Sequence, residues 1–109
     1  LIALVSSTTF AQEINQKDVN GFRHGEWRKN FEGTKVLRYE GQFNHGEEIG
    51  TFKFYKNIDG QSVLTATMTF SPNSDLAEVK FYSSTKNLIS EGKTRGKTYV
   101  GKSFILVDN

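Results

Sequence analysis

Apolar and polar side chains alternate with a period of two along most of this chain. Between 37 and 43, Leu37, Tyr39 and Phe43 fall on one side and Arg38, Glu40 and Gln42 on the other. Between 64 and 70, Leu64, Ala66, Met68 and Phe70 alternate with Thr65, Thr67 and Thr69. Phe52 and Phe54 interleave with Thr51 and Lys53, and Val79 and Phe81 flank Lys80. A strand turns successive side chains to opposite faces, so this period predicts half-buried antiparallel strands. Turn-forming runs separate them: Glu32-Gly33-Thr34, Asn44-His45-Gly46, Asp59-Gly60 and Ser71-Pro72-Asn73-Ser74-Asp75. No stretch places apolar residues at helical spacing. The pattern predicts an all-β protein, an antiparallel meander of about seven strands.

The strands also repeat. Phe31, Thr34, Lys35, Leu37, Glu40 and Gly41 are matched in register by Tyr82, Thr85, Lys86, Leu88, Glu91 and Gly92, each 51 positions later. A worn copy lies between them, with Tyr55 in the place of Phe31 and the run 64–70 in the place of 37–43. About half of that offset is therefore the unit, and the units are hairpins. A second element, glycine-x-x-x-glycine-x-aromatic, occurs as Gly21, Gly25, Trp27 and again as Gly46, Gly50, Phe52, with a looser copy at Gly96, Gly101 and Phe104. A lone sheet with one aromatic face must curl, take residues 12–20 as a lid, or meet a partner. Its end strands carry unpaired backbone groups open to strand addition.

The runs Gly21-Phe-Arg-His-Gly-Glu-Trp-Arg, Tyr39-Glu-Gly-Gln-Phe-Asn-His-Gly and Gly50-Thr-Phe-Lys-Phe-Tyr resemble MORN repeats, in the bacterial variant found in YwqK-like chains labelled antitoxins. The resemblance spans roughly 20–104 and fades toward the end, where Ser90 stands for the tyrosine and Thr94 for the phenylalanine. It implies an elongated, twisted single sheet of stacked hairpins acting as a scaffold, a dimerising module or a binder of anionic lipid. An antitoxin works inside the cell, which fits poorly with the export signal read below.

Length allows one domain: 109 residues, 36% of them hydrophobic, with nine Phe, four Tyr and one Trp carrying much of the apolar surface. A formal charge of +2 gives no argument for nucleic acid. The run Leu1–Val5, followed by small residues at Thr9 and Ala11, reads as the end of a secretory signal cut after Ala11. An N-terminal core strand is the other reading. Residues 12–19 then form an extended segment, and 20–109 the repeat domain, with about three units. The expected location is periplasmic, outer-surface or secreted. Without cysteine there is neither a disulfide framework nor a thiolate metal site.

Several groupings invite chemistry. The run 96–103 (Gly96, Gly101, Lys102, Ser103) fits the phosphate-loop spelling, but that loop needs a buried strand before it and a helix after it. The segment after Ser103 is β-like and ends at Asn109, so the glycines read as turn positions and no nucleotide is expected. His24 with Glu26 and His45 with Glu47 offer zinc ligands, yet the glycines align Gly21 with Gly46. The two histidines hold different places in the unit and are expected to stay apart as turn residues. Glu40 and Glu91 recur in the manner of a glycosidase pair, but stacking along a sheet separates them. Lys93, Arg95, Lys97 and Lys102 lie in a stretch without acids and form either a patch for anionic lipid, phosphate or polysaccharide or a charged edge that resists aggregation. Trp27, Phe31, Phe52 and Phe54 form either a carbohydrate platform or, as is commoner, a packed aromatic row. These eight residues are the candidate interaction surface. The sequence thus predicts a non-enzymatic interaction or scaffold module of the cell envelope or exterior, with no cofactor or metal. A protein partner or self-association is expected. An anionic lipid or glycan, or a toxin, is the alternative partner.

Overall fold

The computed structural model describes residues 13–95 together with the backbone of Thr98 and Tyr99. The leader reading at 1–11, Lys97, Lys102 and most of the phosphate-loop spelling lie outside the described residues. Eight strands follow one another: β1 (Gln16–Lys17), β2 (Arg23–Asn30), β3 (Leu37–Asn44), β4 (Glu47–Ile58), β5 (Gln61–Phe70), β6 (Leu76–Tyr82), β7 (Leu88–Arg95) and β8 (Thr98–Tyr99). They form a single sheet in chain order, every neighbour antiparallel. This is the all-β meander that the alternating pattern predicts. A radius of gyration of 17.8 Å exceeds the value of about 13 Å for a compact chain near this length, so the sheet is extended.

Turn chemistry sets the hairpins. His45 and Gly46 (φ 47° and 91°), and Asp59 and Gly60 (φ 52° and 83°), are two-residue links with both backbones left-handed. That geometry matches the natural twist of the strands they join. The hairpins β2–β3, β4–β5 and β6–β7 share one further feature. Each carries a register shift that leaves one residue unpaired, at Arg38, Thr65 and Ile89 respectively. These positions are equivalent in the sequence repeat. The extra residue also corrects the simple parity reading. Leu37 pairs with Asn30, Leu64 with Tyr55 and Leu88 with Tyr82, so the register puts these leucines on the side opposite Tyr39, Ala66 and Ser90.

Residues 13–17 do not lid the aromatic face; they run along the outer edge of β2. Gln16 and Lys17 pair with His24 and Arg23. Asn15 goes further, because its side-chain amide accepts from Arg28 N at 2.8 Å and donates to Arg28 O at 3.0 Å. A carboxamide presents the same donor and acceptor as a peptide group, so this one side chain blunts the edge.

Trp27, Phe43 and Phe52 form the core, with Tyr39, Phe54, Met68 and Phe70 packed around them. Their rings meet edge to face: Trp27–Phe43 at 6.2 Å, Phe43–Phe52 at 5.2 Å and Phe52–Phe70 at 5.6 Å between centroids. Such contacts let neighbouring aromatics cover one another, which is how Phe52 reaches 3% exposure although the described residues form one sheet. Gly41 makes room, since Phe52 lies directly on it. In the last hairpin Thr94 occupies the place of Phe43 and is buried, and its hydroxyl oxygen lacks a hydrogen-bond partner. Thr94→Val removes an unsatisfied buried hydroxyl at nearly constant shape and is expected to stabilise by about 1 kcal/mol in urea unfolding.

The opposite face carries Leu37, Leu64 and Leu88 near the bulges and is polar across its middle. One row crosses the sheet as Arg28, Glu40, Lys53, Thr67, Lys80 and Glu91, each directly paired with the next. Tyr55 donates to Glu40 Oε2 at 2.7 Å, and burial together with that carboxylate pushes its phenol up to about 12 from an ordinary 10.0. The native state therefore favours neutral Tyr55. Its contribution is whole below pH 10 and is lost as pH rises through about 12. One of the four tyrosines is expected to ionise late in an ultraviolet titration, and Tyr55→Phe removes that late phase.

Candidate functional site

The structure divides the aromatic candidates from the basic ones. Trp27 (8% exposed) and Phe52 (3%) are core residues, and Phe31 and Phe54 are half-buried, so no flat aromatic platform is presented. Lys93 is exposed on the polar face opposite Glu78. Arg95 is exposed and pairs with Asp75 at 2.9 Å. Glu40 and Glu91 sit on β3 and β7 with three strands between them, about 19 Å at the usual spacing, which is too far for paired acid–base work. Thr98 and Tyr99, inside the phosphate-loop spelling, are strand residues paired with Arg95 and Thr94.

The histidines overturn the expectation that they stay apart. His24 and His45 stack at 4.2 Å between ring centroids. They hold different places in successive repeats, but β3 folds back along β2, and the end of one meets the beginning of the other. His45 N donates to His24 Nδ1 at 3.0 Å, and His45 Nδ1 lies 2.7 Å from Asp18 Oδ2. Asp18 also accepts through Oδ1 from Asn20 N and Phe22 N, both at 2.9 Å. One carboxylate thus organises the β1–β2 turn and ties it to the β3–β4 turn, with Gly46 N donating to Arg23 O at 2.7 Å as a second tie. The bond from His45, then the two backbone amides, hold the Asp18 carboxyl below its ordinary value. A carboxyl lowered by folding stabilises the native state above its unfolded value of 3.8, and that stability disappears as pH falls through the lower folded value. Asp18→Asn is expected to lower the melting temperature at neutral pH and to flatten its fall in acid, the two proteins drawing together as pH drops below the unfolded value of 3.8. Among the described residues no group of three or more His, Cys, Asp and Glu side chains is placed to hold a metal ion.

Beside this clasp, at the β1–β2 end of the sheet and on the core face, lies an open cleft of about 420 Å³ with one wall at Phe22 and Gly46. Phe22 and Gly46 stand at that wall in contact, Trp27 and Tyr39 line the cleft beside them, and Lys17, Arg23 and Lys29 surround it. The sheet geometry explains the gathering. Arg23, Trp27 and Lys29 are alternate residues of β2 and share a face, while Lys17 is brought alongside by pairing with Arg23. The Arg23 guanidinium carbon lies 4.5 Å from the centroid of Phe43 and 5.7 Å from that of Trp27. The cation therefore rests on the aromatic core rather than on an acid. No ion pair among the described residues involves Lys17, Arg23 or Lys29, and no carboxylate lines the cleft.

A second depression, about 350 Å³, opens on the polar face around Glu26, Glu40, Gln42, Thr51 and Lys53. Arg28 bridges its two acids at 3.2 and 3.9 Å, so charge there is internally balanced. The cationic cleft is the less compensated of the two. Comparison of the chain with protein-family models, with curated proteins and with solved structures finds no match.

Proposed function

We propose that this chain is a non-enzymatic binding module, a MORN-like hairpin sheet that holds a partner bearing anionic groups in the cleft at its β1–β2 end. The supporting observation is the convergence of Lys17, Arg23 and Lys29 on one concavity that holds no acidic side chain. Like charges gathered without counter-charge repel one another. Natural surfaces keep such a field where it attracts a ligand of opposite sign. Of the other candidates from the sequence, Trp27, Phe52 and Phe54 are occupied in packing, and Arg95 is already paired. Export to the envelope or exterior belongs to the same proposal, resting on the reading of residues 1–11.

Chromatography on dextran sulfate tests it. The triple variant Lys17→Gln, Arg23→Gln, Lys29→Gln is expected to elute at distinctly lower salt than the parent protein. The variant Lys35→Gln, Lys56→Gln, Lys80→Gln removes the same charge from exposed positions outside the cleft and is expected to shift far less. Equal shifts for the two variants would mean that only net charge matters, and the cleft would lose its role.

A further inference from the structure

Resting on that reading of the cleft, we infer that its ligand is a small amphiphilic anion: a carboxylate or phosphate ester carried on a compact apolar ring. Four features of the cleft define this class. The first is the fixed orientation of Arg23. Stacking over Phe43 occupies one face of the guanidinium and leaves its N–H edge to meet an oxyanion. The second is Tyr39. Arg23 Nη1 donates to Tyr39 Oη at 3.5 Å, and the phenol's own proton finds no acceptor among the described residues. A charged donor and a neutral donor therefore stand side by side, each with hydrogen-bonding capacity unused by the protein.

The third feature is Phe22, 55% exposed at the cleft wall. Its backbone is pinned by Asp18, and its ring packs at the Gly46 backbone, where a β-carbon would come within 3.1 Å of it. It is an apolar surface that is held in place yet still exposed, suited to the flank of a ring. The fourth is size. The cleft is open and about 420 Å³, a volume within the range of small-molecule sites. Lys17 and Lys29 add long-range attraction without a competing carboxylate. Val19, 98% exposed at the tip of the adjoining turn, suits a lipid surface instead, and vesicles therefore belong in the test.

Trp27 is the chain's one tryptophan and lines the cleft, so its indole N–H resonance reports occupancy. Titrations with inorganic phosphate, phenyl phosphate, benzoate and phosphatidylglycerol vesicles are followed by this signal. Phenyl phosphate is expected to bind about tenfold more tightly than inorganic phosphate, the ring contact supplying the difference. Benzoate is expected to bind as well. Phe22→Ala should bring the two phosphates within about threefold of each other. Arg23→Gln should weaken both by tenfold or more, and Tyr39→Phe should weaken both while keeping the ring. Melting curves on each variant separate lost binding from lost folding, and Tyr39→Phe stands in if Arg23→Gln unfolds. Equal affinity for the two phosphates in the parent protein would overturn the inference, as would a response to vesicles alone. Retention on dextran sulfate without any small-ligand binding would sink it while leaving the broader proposal standing. Loss of both would end the two together.

Discussion

Phe52→Ala is expected to cost about 3–5 kcal/mol and to lower the melting temperature by roughly 15–30 °C. The ring is 3% exposed and sits where three others meet: Phe43 at 5.2 Å, Phe70 at 5.6 Å and Phe54 at 6.4 Å between centroids. Truncation leaves a hole that the surrounding strands cannot close, because their spacing is fixed by the hydrogen-bonded ladder on both sides. In a layered protein a second sheet or helix would share this load. Here the described residues form one sheet, and the aromatic cluster covers itself, so the loss propagates to Phe43 and from there to Trp27. Leucine at the same place retains most of the volume and should cost less than half as much. Urea unfolding of both variants checks the order. A loss below about 1 kcal/mol for alanine would mean that the cluster is not what holds the sheet.

The alternating pattern made the strands legible because a half-buried sheet imposes a period of two wherever it runs. The repeat, in turn, reached into the structure, since Arg38, Thr65 and Ile89 prove to be equivalent bulge positions. The bulges themselves were not legible. An ordinary arginine, threonine or isoleucine carries no mark of being the extra residue, and the parity count therefore placed Leu37 and Leu64 on the wrong face. The meeting of His24 and His45 was hidden for a related reason. Repeat alignment compares places within a unit, whereas contact across a hairpin depends on which ends fold together. The cleft was half visible. Arg23, Trp27 and Lys29 share a side by simple parity, but Lys17 joins them only because residues 13–17 lie along the edge of β2. That pairing rests on Asn15 and on the bond from Trp27 Nε1 to Gln16 O at 2.9 Å, long-range contacts that no local pattern announces.

Gly41→Ala is expected to destabilise by about 2–3 kcal/mol, a large effect for one added methyl group. A β-carbon there would overlap three ring carbons of Phe52, including Cγ, which cannot swing aside without moving the strand. The cost is steric and not conformational, since Gly41, unlike six other glycines, does not carry a positive φ. Gly50→Ala provides the contrast. Its added carbon meets open space, but its φ is +68°, so the expected loss is the left-handed penalty of about 1 kcal/mol. The origin of the Gly41 effect can be isolated in a double-mutant cycle. In the Phe52→Ala background the obstructing ring is gone, and adding the methyl at position 41 should cost nothing or recover part of the loss. The coupling between the two sites is then about 2 kcal/mol or more, well beyond experimental scatter. Strictly additive effects would show that Gly41 matters for some reason other than the ring lying on it. The close approach of an aromatic from one hairpin to a glycine of the preceding one would then no longer account for how successive units are held together.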